Sequence, residues 1–168
     1  MLSDIGAVRI GLILSMLTLL VGIGMGITFG VDEDDVKGYI TEGVASHQGL
    51  HDAKSESKIW RYAQRAHFHA TGVGAFALAM ILLVGSVPMP RRWKVLSSTL
   101  IGVGSFYSMA WLSMLLLAPT LGRGAAHDAL VTEVITKVTV GSLLVGIGIL
   151  FFYLLFGEGQ KRTGVVSS

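Results

Sequence analysis

Four stretches of this chain carry no Asp, Glu, Lys or Arg: those between Arg9 and Asp32, Arg65 and Arg91, Lys94 and Arg123, and Lys137 and Glu158. Each holds about 20 or more residues, the length an α-helix needs to cross roughly 30 Å of hydrocarbon. The pattern predicts an all-α integral membrane protein, a single domain over residues 1–168, with transmembrane helices near 9–30, 68–87, 95–118 and 137–157. Composition agrees: 52% of residues are hydrophobic and 14% charged, against roughly 45–50% and 25% in soluble chains. A water-soluble globule is thereby excluded. A net charge of +2 and the lack of a basic run argue against nucleic acid as a partner. The absence of Cys excludes thiolate-ligated haem, Cys-ligated iron–sulfur clusters, Cys₄ zinc, covalent haem attachment and disulfides.

The first apolar stretch is about twice the usual 7–15 residues of a signal-peptide core, and no A-x-A site follows it. It is therefore expected to stay as a helix. Orientation follows from the basic residues flanking the spans. The N-terminus, the 88–94 connection and the C-terminal tail fall on one side and carry Arg9, Arg91, Arg92, Lys94, Lys161 and Arg162. That side is expected to be the cytoplasm of a bacterial-type plasma membrane, with 31–66 and 119–136 outside. The outer segments predict a small helical cap. Asp52 reads as an N-cap, and no Pro interrupts the chain from Ala53 to Val87, so one helix of about 35 residues, some 52 Å long, is expected to rise from the bilayer. Lys54, Lys58, Arg61 and Arg65 share one face of it, a solvated or lipid-headgroup stripe. Residues 125–136 are expected to extend the fourth helix outward after a break at 119–124.

Helices in lipid associate by close backbone approach. Gly22, Gly26 and Gly30 form the most specific row of small residues. Ala66, Ala70 and Gly74 form a second, Ser98, Gly102 and Ser105 a third, and Ser142 with Gly146 a fourth. Such rows serve packing within the bundle, docking to a partner helix, or the approach of a planar macrocycle.

All five histidines fall on the expected outer side. His47 and His51, four apart, can stack on one helical face and share a metal ion. His67 and His69, two apart, point about 200° away from each other on a regular helix, so they are expected to serve different partners, or to chelate together if the helix unwinds there. His69, at the membrane boundary just before Gly72 and Gly74, sits where a membrane cytochrome places an axial ligand to haem b. Its counterpart is His67 or His127, or a histidine of the cap folding down. Copper is the competing cofactor, through imidazole with Met25, Met109 or Met114. Glu42, Asp52, Asp128 and Glu133 are available to zinc or iron but form no E-x-x-H. Trp60, Trp93 and Trp111 read as interfacial anchors, and Tyr107 as an interhelical hydrogen-bonding group.

The chain lacks a nucleophile elbow, an H-E-x-x-H, a Walker loop and a dinucleotide fingerprint. No ionisable residue lies in the middle of any span, which disfavours a pump or coupled transporter. Two readings follow. In one, the protein binds haem b or a transition metal through His67, His69 and His127, or His47 and His51, and works in electron transfer with a quinone or a soluble carrier. In the other, it is a non-catalytic subunit that docks through its glycine faces on other membrane subunits or on itself. Either way a subunit or electron carrier is expected rather than a stand-alone enzyme, with the lipid bilayer as its solvent.

Overall fold

The computed structural model describes residues 5–157. The described residues form seven α-helices: α1 (Ile5–Val31), α2 (Glu33–Ser46), α3 (Ser55–Ser86), α4 (Arg91–Gly104), α5 (Ser108–Leu121), α6 (Arg123–Asp128) and α7 (Leu130–Phe156). Helices α4 and α5 run in series through a 3₁₀ turn at Ser105–Tyr107. Four helical segments are therefore long and apolar enough to cross a membrane: Ile5–Val31, Ser55–Ser86, Arg91–Leu121 and Leu130–Phe156. Val and Ile are middling helix formers in water, but in hydrocarbon a backbone finds hydrogen-bond partners only within its own helix. Lys161 and Arg162, which weigh in the orientation argument, lie outside the described residues.

The uninterrupted helix expected after Asp52 runs from Ser55 to Ser86. Asp52 sits three residues ahead of its first turn, where Oδ1 accepts from the Lys54 amide (2.9 Å) and the Ser55 hydroxyl (3.0 Å). At the other end of α3, Val87 turns extended and α4 starts directly after Pro90. The buried Lys94 ammonium donates to the Gly85 carbonyl at 2.8 Å, satisfying one of the carbonyls a helix end leaves without a partner. This is the hairpin end of the bundle.

The break expected at 119–124 is narrower than the sequence suggests. Pro119 lies inside α5, and the chain turns at Gly122, the one described residue with a left-handed φ (+79°). α6 follows, then a second bend at Ala129 (φ −60°, ψ 134°) before α7. The fourth long helix thus begins at Leu130, and residues 125–128 belong to a separate short helix.

Small residues set the helix spacing. A methyl group at Gly102 would lie 2.9 Å from the Gly11 Cα, and one at Gly11 would collide with the Ser98 carbonyl. Between α4 and α7, a methyl at Gly146 would sit 2.8 Å from Ile101, and Ser97 donates to the Gly146 carbonyl at 2.8 Å. Buried hydroxyls join α1 to the 3₁₀ turn (Thr18 with Ser105, 2.8 Å) and α5 to α7 (Ser113 with Thr132, 2.8 Å). Two cores result. At the hairpin end, Val8, Ala77, Ile81, Val84, Ile101 and Leu150 pack together. At the end that carries α2, Ile40, Ile59, Ala63, Leu115, Ala118 and Ala126 do so, flanked by Phe29 and Trp60.

Candidate functional site

The five histidines lie at the α2 end, each with a ring nitrogen bonded to a nearby oxygen. His67 donates from Nδ1 to the Gly22 carbonyl of α1 (2.8 Å), and His69 from Nδ1 to the Arg65 carbonyl of its own helix (2.8 Å). Their two-residue spacing sends them to different neighbours. His67 packs on Gly26 beside Phe29, whereas His69 meets Tyr107 and Trp111 of the third span, with ring centroids 5.3 and 5.6 Å apart. His47 donates from Nδ1 to the Gly43 carbonyl (2.9 Å) and His127 from Nδ1 to Asp128 Oδ1 (2.8 Å).

A carbonyl can only accept, so at His47, His67 and His69 the proton is on Nδ1. In the neutral ring the lone pair is then on Nε2, the arrangement a metal- or haem-ligating histidine adopts. His51 is reversed: Nε2 donates to the Pro119 carbonyl (3.0 Å), and Nδ1 is buried without a partner.

His47 and His51 do not share a helical face. α2 ends at Ser46, residues 48–50 form a 3₁₀ turn and His51 is extended (φ −126°, ψ 152°). The turn contains Gly49, and each imidazole goes to a different carbonyl. Among the described residues, no three His, Asp or Glu side chains converge as a metal site. Of the methionines, Met114 is buried and faces the groove described next, while Met25 and Met109 are half-buried.

The feature that sequence reading missed lies on α5. The 3₁₀ turn and α5 carry Tyr107, Trp111 and Met114 at i, i+4 and i+7, so all three line one groove of about 430 Å³ against α6 and α7. His127, Thr132 and Lys137 complete its wall. The volume suits a small organic ligand. Trp111 is the central residue. Its ring touches His69, Tyr62 and Tyr107 and carries the Arg65 guanidinium 4.7 Å from its centroid. Its indole N–H is buried with no hydrogen-bond partner. A buried donor left unsatisfied is costly, and among the described residues Trp111 shares that state with His51 Nδ1, Thr99 Oγ1 and Ser108 Oγ. The i, i+4, i+7 spacing of Tyr107, Trp111 and Met114 was the available sequence signal.

Of the six glycines singled out by spacing, Gly102 and Gly146 face neighbouring helices as described above, and three more do so. A methyl at Gly22 would meet Thr71 and Ala70, one at Gly26 would meet the His67 ring, and one at Gly74 would meet Leu19 (2.8, 2.8 and 3.1 Å at nearest). Gly30 faces open space, as do Gly24, Gly141 and Gly148. A further cavity of about 530 Å³ lies between α2 and the start of α3, where Lys37 rests 5.3 Å from the Trp60 ring and is ion-paired with Glu33 (2.5 Å). Beside it, the Asp52 carboxyl is held below its ordinary value, first by the Lys54 amide and then by the Ser55 hydroxyl, Lys58 and Arg123.

Compared with known proteins, the chain matches no family model, no curated protein and no solved structure.

Proposed function

We propose that this integral membrane protein is an electron-transfer protein or redox-complex subunit. Its α5–α7 groove takes a flat redox ligand, haem b or a quinone headgroup, at the outer edge of the membrane, beneath an extracytoplasmic cap formed by α2 and α6. Both termini are then cytoplasmic. The observation that carries the reading is the buried, unpartnered indole N–H of Trp111 at a groove lined by His127, with His69 stacked on the same indole ring. The N–H offers a donor to a quinone carbonyl or a haem carboxylate. His127 is the histidine that lines the groove, and His69, whose Nε2 keeps a lone pair suited to iron, borders it through the Tyr107 and Trp111 rings. The missing third ligand argues for haem or quinone over a bare transition metal, and copper would need Met114 to join the imidazoles.

The deciding experiment is a dithionite-reduced minus oxidised visible spectrum of the purified protein, paired with quenching of tryptophan fluorescence by a short-chain benzoquinone. A sharp α-band that is lost in His69→Ala, or quenching that is lost in Trp111→Phe, supports the reading. A flat spectrum together with quenching that Trp111→Phe leaves unchanged overturns it.

A second reading, a non-catalytic subunit docked through glycine faces, is favoured by Gly24 and Gly30 on α1 and Gly141 and Gly148 on α7, where an added methyl would meet nothing within 4 Å among the described residues. On α7, Val134, Val138, Gly141, Val145 and Gly148 recur at heptad spacing, and the three valines of that row are exposed. Co-purification of Gly141→Leu tests it: loss of associated subunits from an otherwise intact protein supports docking.

A further inference from the structure

We infer that a second site, sharing no lining residue with the α5–α7 groove, binds a phosphate-type anion: the basic concavity formed by Lys58, Arg61 and Arg65 of α3 with Arg123 of α6. The four cations and Tyr62 surround about 230 Å³ of space. One carboxylate answers them. Asp52 Oδ2 lies 3.6 Å from Lys58 and 3.8 Å from Arg123, both beyond ordinary hydrogen-bond length, while its Oδ1 is held by the Lys54 amide and the Ser55 hydroxyl. Three positive charges are left without a counter-charge in one concavity, and their mutual repulsion falls when an anion enters.

Geometry favours an oxyanion over chloride. The Arg65 guanidinium lies over the Trp111 ring, which occupies one face of the ion and leaves its in-plane N–H edge for the paired oxygens of a phosphate. Arg61 is exposed, with no ion pair among the described residues, and the Tyr62 hydroxyl has no hydrogen bond there either. Depth favours a phosphate at the bilayer surface. Arg65 is the last charged residue before the apolar interval that runs to Arg91, and Phe68, one turn further in, is 64% exposed. A phospholipid headgroup and a free phosphate both present the required chemistry.

The test uses the full-length protein in detergent. Native mass spectrometry with added phosphatidylglycerol, against phosphatidylcholine, reads lipid binding. Thermal unfolding in inorganic phosphate, against chloride at equal ionic strength, reads the free anion. Expected is preferential retention of phosphatidylglycerol, reduced about tenfold in Arg61→Gln and in the Arg61→Gln/Arg123→Gln double variant, and unchanged in Lys54→Gln, whose side chain lies outside the concavity. Phosphate-specific stabilisation that Arg61→Gln removes, without lipid preference, assigns the site to a free phosphate. Arg61 contacts no ring or carboxylate, so its variant keeps the fold. Equal binding by wild type and Arg61→Gln, an equal loss in Lys54→Gln, or no response to either probe overturns the inference.

Discussion

The two ends of this bundle are built by different rules. At the hairpin end, small residues let the helices approach closely, and aliphatic side chains from α1, α3, α4 and α7 fill the space between them. The one buried charge there, Lys94, is matched to a helix terminus. At the α2 end, histidines, tryptophans and tyrosines are interleaved with aliphatic ones, and three cavities of about 530, 430 and 230 Å³ lie among them, each bordered by charged side chains. The hairpin end also carries a cavity, of about 360 Å³, but Trp93, Val145, Gly148, Ile149, Phe152 and Tyr153 line it and none of them is charged. The difference is one of chemistry: the α2 end gathers cations and imidazoles around its cavities, and like charges held together are unfavourable until a counter-charge enters.

Substitutions separate the two rules. The largest effect is expected at the hairpin side, where Gly102→Leu must push α1 away from α4. A loss of about 3 kcal/mol or failure to assemble is expected, read by unfolding in mixed micelles. Gly141→Leu, facing open space, should be neutral in the same assay, and a comparable loss there would break the assignment. Next comes His67→Ala, which removes the donor to Gly22 and the ring beside Gly26. About 1–2 kcal/mol is expected, with no change in any visible spectrum. If that variant abolished a haem band, His67 would belong to the ligand and the contrast between His67 and His69 would fail. Smaller still is Thr18→Val, expected to weaken the bundle by about 0.6 kcal/mol through its hydroxyl pair with Ser105.

The mildest prediction concerns pH. Asp52 is held below its ordinary 3.8, so its contribution is complete above that value and is lost as pH falls through the lower value of the folded protein. Amide protection at the start of α3, taken relative to the intrinsic exchange rate at each pH, should therefore be steady from pH 7 to 5 and fall only in stronger acid. Asp52→Asn should show the lowered protection at every pH.

These differences mark what was legible beforehand. Charge-free intervals reveal spans because hydrocarbon punishes charge wherever it falls, and the long α3 followed from the lack of any Pro after Asp52. Which face each small residue uses was not legible: Gly26 meets His67 while Gly30, one turn on, meets nothing. Rotational register depends on neighbours far away in the chain. The same limit hid the groove. Trp111 reads as an interfacial anchor because its contacts with Tyr62, Arg65 and His69 of α3, and its place in the groove, arise only once the helices have packed. His47 and His51 failed to share a face because α2 stops at Ser46.

The 3₁₀ turn at Ser105–Tyr107 has a mechanical consequence. Three residues wound at three per turn advance about 60° further than the same residues in an α-helix. The third span is thus a shaft with a built-in twist: α4 presents Ile101 and Gly102 to α7 and α1, and α5 re-aims its aromatic row toward α3 and the groove. Rewinding those residues to regular pitch would turn Trp111 away from His69 relative to α4, and the Ser113–Thr132 hydrogen bond between α5 and α7 resists that rotation. The aim of the aromatic row is set by torsion at a turn and held by that seam.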